Sequence, residues 1–385
     1  MKKLQSNLSI PILVFILCVS SFLVLKVEAL EDSWTTLTPM QVERTGLGVV
    51  AVDGKIYAIG GRDFGKVDTV EEYDPQLNNW TYRTPIPEPM SLFAITVHHG
   101  KIYCFSSETG ATYAYTPLYD TWENKTSLPN PRSGIKANTV NDKIYVQGGK
   151  IHSMDVYDPI TDIWTTKTPM PVNAYPYYGW SCATVVLDGR IHVFGALPLE
   201  YSHQIYDPST DSWSLGAPLI EDYYYSVAGV TTGVNAPKRI YIFGAEKWEW
   251  SVNVAIGSQS YDPKADTWIE CASIPSGHLK GDAVVVDDRL YVIGGGVPFL
   301  GGIIDEDPLN SLYTPIGFGT PDPAYVPPEP TPTPTISPTP TPSLSPTPTS
   351  TLEPESFPTT LVIASVAIVV IVGLGIILYY KKRRS

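Results

Sequence analysis

The sequence predicts an all-β fold, a ring of four-stranded antiparallel sheets. Three observations carry this. An eight-residue string with Tyr and Trp seven apart recurs at 73–80, 115–122, 157–164, 206–213 and 261–268. A second string, of which Gly54-Lys55-Ile56-Tyr57 is the first copy, precedes each one and recurs once more at 288–295. Its copies lie 42 to 50 residues apart, the period of repeated four-stranded units. The composition agrees: 385 residues include 30 Gly, 36 Pro, 24 Tyr and 9 Trp, a set that favours strands and turns over helices.

Each strand of the unit can be justified in order. The first is an apolar run such as Gly48-Val49-Val50-Ala51-Val52. A turn of the Asp53-Gly54 kind joins it to the second, as a tight hairpin requires. The second strand ends in a small pair, Gly60-Gly61 in the first copy, which permits close backbone approach. The third ends in Tyr-Asp-Pro, where Asp closes a turn and Pro stops the strand. The Trp then opens a fourth strand and supplies a large apolar surface.

The order of hydrophobic strand, Gly-Gly, Tyr-Asp-Pro and Trp resembles the kelch repeat, over roughly residues 31–319. The resemblance implies a six-bladed kelch-type β-propeller. The copies depart from the pattern at Ser106-Ser107, at Gly-Ala in the fourth and fifth copies, and at Thr116 and Thr314, where Asp is usual. The sixth copy has Tyr313-Thr314-Pro315 but no following Trp, whereas Trp34 near the start begins a strand-like segment without a copy of its own. The ring is therefore expected to close by placing this N-terminal strand in the sixth blade, which leaves no long open edge.

The ends read as targeting segments. Lys2, Lys3 and the apolar run from Ile12 to Leu25 make residues 1–29 a signal peptide. The propeller is expected over 30–320. Residues 321–358 alternate Thr or Ser with Pro and form an extended stalk, at about 3.1 Å per residue roughly 100 Å long. Residues 361–380 carry no charge, long enough at about 1.5 Å per residue to span a bilayer as one helix. The basic tail at 381–385 places the C-terminus in the cytoplasm. The expected location is the cell surface, as a single-pass plasma membrane protein with an exported propeller. This order of parts resembles that of single-pass surface proteins of archaea and some bacteria.

The net charge of -13, without a basic stripe, argues against nucleic acid as a partner. No cofactor is implied. Three Cys follow the signal segment, Cys104, Cys182 and Cys271, in different repeats, and free thiols are expected. Asn79 and Asn124 fit the N-glycan acceptor pattern. His98-His99 falls in a hairpin turn, where neighbouring side chains point apart, so no metal site is expected there. His192 occupies the repeat's Tyr position and should lie in the core.

Alternating strand directions put the loops between strands two and three on one face with the links between blades. These are the variable connections, and variable loops on a rigid scaffold carry function. They bring Tyr175, Tyr177, Tyr178, Trp180, Glu221, Tyr224, Trp248 and Trp250 to an aromatic and acidic rim. Arg44, Arg62, Arg132, His152, His278 and Lys280 add polar groups near the central opening; the kelch resemblance implies that Arg44 and Arg132 face it. The reading is an extracellular binding module for a glycan, a peptide or another envelope partner, protein or otherwise, stacked on these aromatics. A second reading is an extracellular enzyme at the hub, similar to the six-bladed kelch mutarotases that act on sialic acid, with Arg44, Arg132, Glu200 and Glu221 as its polar cluster. A third is a passive envelope component. No catalytic constellation stands out, and no G-x-S-x-G or H-E-x-x-H occurs.

Overall fold

A computed structural model describes residues 30–149, 153–171, 182–196, 199–221, 226–245, 256–275, 280–299, 303–306 and 308–322. All belong to one compact unit, Met1–Pro327. The expected signal peptide, nearly all of the stalk, the 361–380 helix and the basic tail lie outside the described residues. Among the described residues no helix is long and apolar enough to cross a membrane.

The fold is the predicted one: six four-stranded antiparallel sheets, each the blade of a propeller. The first blade runs Gly48–Val52, Lys55–Ile59, Val70–Asp74 and Asn79–Arg83 from the axis outward. The innermost strands of the others are Ala94–His98, Ile135–Val140, Ala183–Leu187, Val227–Val230 and Asp282–Val286. Each packs against the innermost strands of the two blades beside it, and the sixth packs against the first. The sixth blade is the expected composite. Its outermost strand is Ser33–Thr36, paired antiparallel with Asn310–Thr314, with Trp34 opposite Tyr313.

Blades are joined by one device used six times. In the turn before each outermost strand stands an Asp or Asn two residues ahead of the Trp, and all six have left-handed backbone, from Asp32 at φ 47° to Asp162 at φ 58°. The side-chain oxygen accepts the hydroxyl of the repeat's Tyr, as in Tyr206 to Asp211 at 2.7 Å and Tyr261 to Asp266 at 2.8 Å. The same oxygen accepts a backbone N–H from the link leaving the preceding blade: Thr168 to Asp211 at 3.0 Å, Ala217 to Asp266 at 2.9 Å. The Trp indole then donates to the carbonyl of that same link residue, Trp213 to Thr168 at 3.1 Å and Trp268 to Ala217 at 2.9 Å. Two residues further on, the link sends an apolar side chain into the groove between blades. All six of these, Met40, Ile86, Leu128, Met170, Leu219 and Ile274, are buried. At the closure Asp32 and Trp34 hold Ala272 in the same way, at 2.7 and 2.8 Å. The joint that closes the ring thus has the bonds of the five others.

Five of the six inner hairpins have φ positive at both turn residues, as at Asp53-Gly54 and Asp188-Gly189, the geometry that matches strand twist. The small pairs do what their size suggests. A Cβ at Gly148, which has φ +106°, would stand 2.3 Å from the Gly134 carbonyl oxygen, part of the link passing across it. Cys104 and Cys182 are buried free thiols and Cys271 a half-buried one. His192 is in the core as expected, 5% exposed, with Nδ1 2.8 Å from Nε2 of His203.

Candidate functional site at the central opening

The links between blades end at the axis, where the innermost strands begin. The opening there is lined by Gly46, Leu92, Gly134, Lys136, Ser226 and Lys280. It is narrow for a physical reason. Lys136 stands on the innermost strand of the third blade, Asp282 on that of the sixth, diametrically opposite in a ring of six. The Lys136 ammonium lies 3.9 Å from Asp282 Oδ1, across the channel. Asp282 Oδ2 also accepts the Val49 N–H at 3.0 Å, so this carboxylate is held by three blades. Below this bridge the axis holds a cavity of about 100 Å³. Pockets that enclose a drug-sized molecule run to ~300–1,000 Å³.

Arg44 and Arg132 do not serve the opening as the resemblance implied. Arg44 has no exposed surface. Its guanidinium donates to the carbonyls of Gly60 and Thr69 at 2.8 and 2.9 Å and to Glu71 Oε1 at 2.8 Å. Arg132, also buried, repeats the pattern two blades on, donating to the Gly148 carbonyl and to Asp155 Oδ2, both at 2.7 Å. Each arginine pins the end of the Gly-Gly strand to the third strand of its own blade. The reason is local: the glycine carbonyls exposed by the small pair are buried by the passing link and need donors. Burial pushes both guanidinium pKa values down, opposed by Glu71 and by Asp155. Each arginine is closed by a carboxylate of its own blade, Glu71 for Arg44 and Asp155 for Arg132.

Arg62 and Lys280 are placed near the opening as expected. Arg62 is exposed, and its backbone pairs with Thr45 in both directions, at 3.1 and 2.8 Å. Burial, then the nearby Arg62 charge, lowers the Lys280 pKa. Glu221 lies on the link into the fifth blade, half-buried, with its backbone carbonyl accepting from Gln259 at 2.7 Å. Glu200 is in the strand Leu199–Asp207. His152, Tyr175, Tyr177, Tyr178, Trp180, Tyr224, Trp248, Trp250 and His278 lie outside the described residues. Asn79 and Asn124 are exposed, each on an outermost strand.

Two features of the face escape a reading of the repeat. One is the cross-channel pair, because a charged residue at the start of a core strand signals nothing until the ring brings opposite blades together. The other is Phe64. It caps a small hairpin, Arg62–Asp63 paired with Gly65–Lys66, in the loop between the second and third strands of blade one. Its side chain is 99% exposed. An apolar residue before Gly65 in a loop of charged residues was the available signal. Lys66 in the same hairpin pairs with Glu108 of the second blade.

Comparison with known proteins supports the repeat. Residues 43–87 and 131–171 match the Kelch motif. The chain is similar to human Kelch-like protein 33, 35% identical over 92 residues, 24% of this chain and 17% of that one. It is similar to the influenza virus NS1A-binding protein homolog of Mus musculus, 35% identical over 75 residues, 19% of this chain and 12% of that one. Alpha-scruin of Limulus polyphemus is 33% identical over 87 residues, 22% and 10% of the two chains. The matched stretches span less than a fifth of these relatives' lengths. Among solved structures, one titled "Structure of YjhT" covers 70% of this chain and 95% of its own at a TM-score of 0.57 and 15% identity, a likeness of fold.

Proposed function

We propose that this six-bladed propeller with kelch motifs is the binding head of an exported, membrane-anchored surface protein, and that its partner is a protein segment carrying acidic and apolar side chains. One observation carries the reading: the hub is bridged by Lys136 and Asp282, so a ligand rests on the loop face, and there the Arg62–Lys66 hairpin presents Phe64 to solvent. A fully exposed aromatic flanked by cations fits the anchor-and-rim arrangement of interaction hot spots. Arg62 stands exposed beside Lys280 at this opening in a chain of net charge -13, which supplies local attraction for a carboxylate. The relatives support a protein partner, one being named for binding NS1A. Surface display rests on the sequence of the two ends, with the Pro-rich stalk holding the head away from the bilayer.

The purified chain probed on a peptide and glycan array tests this. Acidic peptides with an aromatic or aliphatic residue should be retained, more weakly as salt rises. Phe64→Ala and Arg62→Ala should each reduce retention about tenfold or more. Glycans retained in place of peptides, with no effect of either substitution, would sink the proposal.

A further inference from the structure

On the face opposite the opening, the inner hairpin turns of blades two and three sit side by side. The first carries His98 and His99, the second Asn141 and Asp142. The expectation that the two imidazoles point apart does not hold. His99 takes left-handed backbone, φ 47°, which swings its ring back onto that of His98, with centroids 4.3 Å apart at 72°. Both then aim Nε2 at one oxygen. His99 Nε2 is 2.7 Å from Asp142 Oδ1 and His98 Nε2 is 3.9 Å from it. All three ligating atoms lie within 4.8 Å of one another, the one such group of three among the described residues.

A second observation points to a ligand. His98 is 7% exposed, and its Nε2 is buried with no hydrogen-bond partner. Buried polar atoms are rarely left so, and this one faces the other two ligating atoms. Burial lowers the His98 pKa, as does its neighbour His99. The remaining charges that face it are Asp142, Asp158 and Lys143, and the last two are paired at 2.7 Å.

Two imidazole nitrogens and one carboxylate oxygen form a borderline donor set, suited to Zn²⁺ and to Co²⁺ or Ni²⁺. Bonds of about 2.0–2.2 Å in tetrahedral array place ligand atoms about 3.3 Å apart. The present separations bracket that value, and His99 and Asp142, both exposed, are free to adjust. We propose that His98, His99 and Asp142 form a binding site for Zn²⁺ or a similar divalent transition metal, with the fourth position open to water, and that the metal ties blade two to blade three.

The test is calorimetric titration of the full chain with zinc chloride at pH 7.5, with thermal melts alongside. The structure predicts one saturable Zn²⁺ per chain that raises Tm. His99→Ala and Asp142→Asn, both exposed and so compatible with folding, should each weaken it at least about tenfold and abolish the rise. Co²⁺ should give visible ligand-field bands that vanish in the same variants. The proposal is overturned if the wild type shows no saturable binding up to about 1 mM, or if the His99→Ala/Asp142→Asn double variant binds and is stabilised as the wild type is.

Discussion

Asp211 accepts two hydrogen bonds at a single oxygen, from the Tyr206 hydroxyl and the Thr168 backbone N–H. Removing that oxygen leaves a hydroxyl with little access to water, so Asp211→Ala should cost about 1–2 kcal/mol, read from chemical denaturation. The Tyr206 bond holds the Asp211 carboxyl below the usual range, against some desolvation. In Asp266 the Ala217 backbone N–H and then Tyr261 do the same. A depressed folded pKa contributes stability that is present above the unfolded value, about 3.9, and is lost as pH falls through the folded one. The joints at Asp211 and Asp266 should therefore weaken below about pH 4. The histidines act earlier. Burial lowers His192 to about 3 and His203 to about 4, while an unfolded His titrates near about 6.5. The unfolded state takes up protons first, so stability falls as pH drops below 6.5, by at most about 1.4 kcal/mol per pH unit for each group. His203→Met, the residue at the matching place in blade three, Met154, should flatten Tm between pH 6.5 and 5. An unchanged slope would remove the pair from this account.

At the scale of elements, the N-terminal strand is worth more than its four residues suggest. Ser33–Thr36 supplies the outermost strand of blade six, and Asp32 and Trp34 supply its joint to blade five. The Trp34 ring packs 4.9 Å from Phe243 and 5.1 Å from Tyr313. Deleting residues 30–40 opens the ring at two joints, the one to blade five through Asp32 and Trp34 and the one to blade one through Thr38 and Met40, and exposes the edge of Asn310–Thr314, so it should abolish the cooperative melt. A melting transition like that of the full chain would show that closure is not needed for folding. The loop from Thr231 to Lys238, the exception among short inner turns, has its own support. Asp288 in the neighbouring blade accepts from the N–H groups of Asn235 and Ala236 at 2.6 and 3.1 Å. In both turns where Asp stands at the usual Gly position, Asp142 and Asp288, the carboxylate reaches the adjacent blade.

For the whole molecule, blade number and ring closure were legible because each blade repeats one local code of turn residues and large aromatics. The count of Tyr and Trp copies, together with the unpaired Trp34, sufficed. The six Asp or Asn residues of the joints stand two positions before Trp34 and the five repeat Trp residues, readable in hindsight. Their role was hidden because the bond they make runs to a different blade. The candidate site was less legible. Arg62 and Lys280 could be assigned to the opening from their place before or after a core strand. Arg44 and Arg132 could not be assigned correctly, because whether a guanidinium faces solvent or a buried carbonyl depends on where the next blade's link crosses.

Sequence by itself determined the all-β class, the four-strand unit, the number of blades and the composite sixth blade, since these follow from the repeat period and from turn chemistry that acts between neighbouring residues. Tertiary structure alone decided which polar groups are consumed and which are offered. The Lys136–Asp282 bridge joins residues 146 apart, and the His98–His99–Asp142 group spans two turns that meet only because their blades are neighbours. Such contacts depend on the ring's curvature, which no stretch of sequence encodes locally. They bridge the hub and leave the two faces to interact with other molecules.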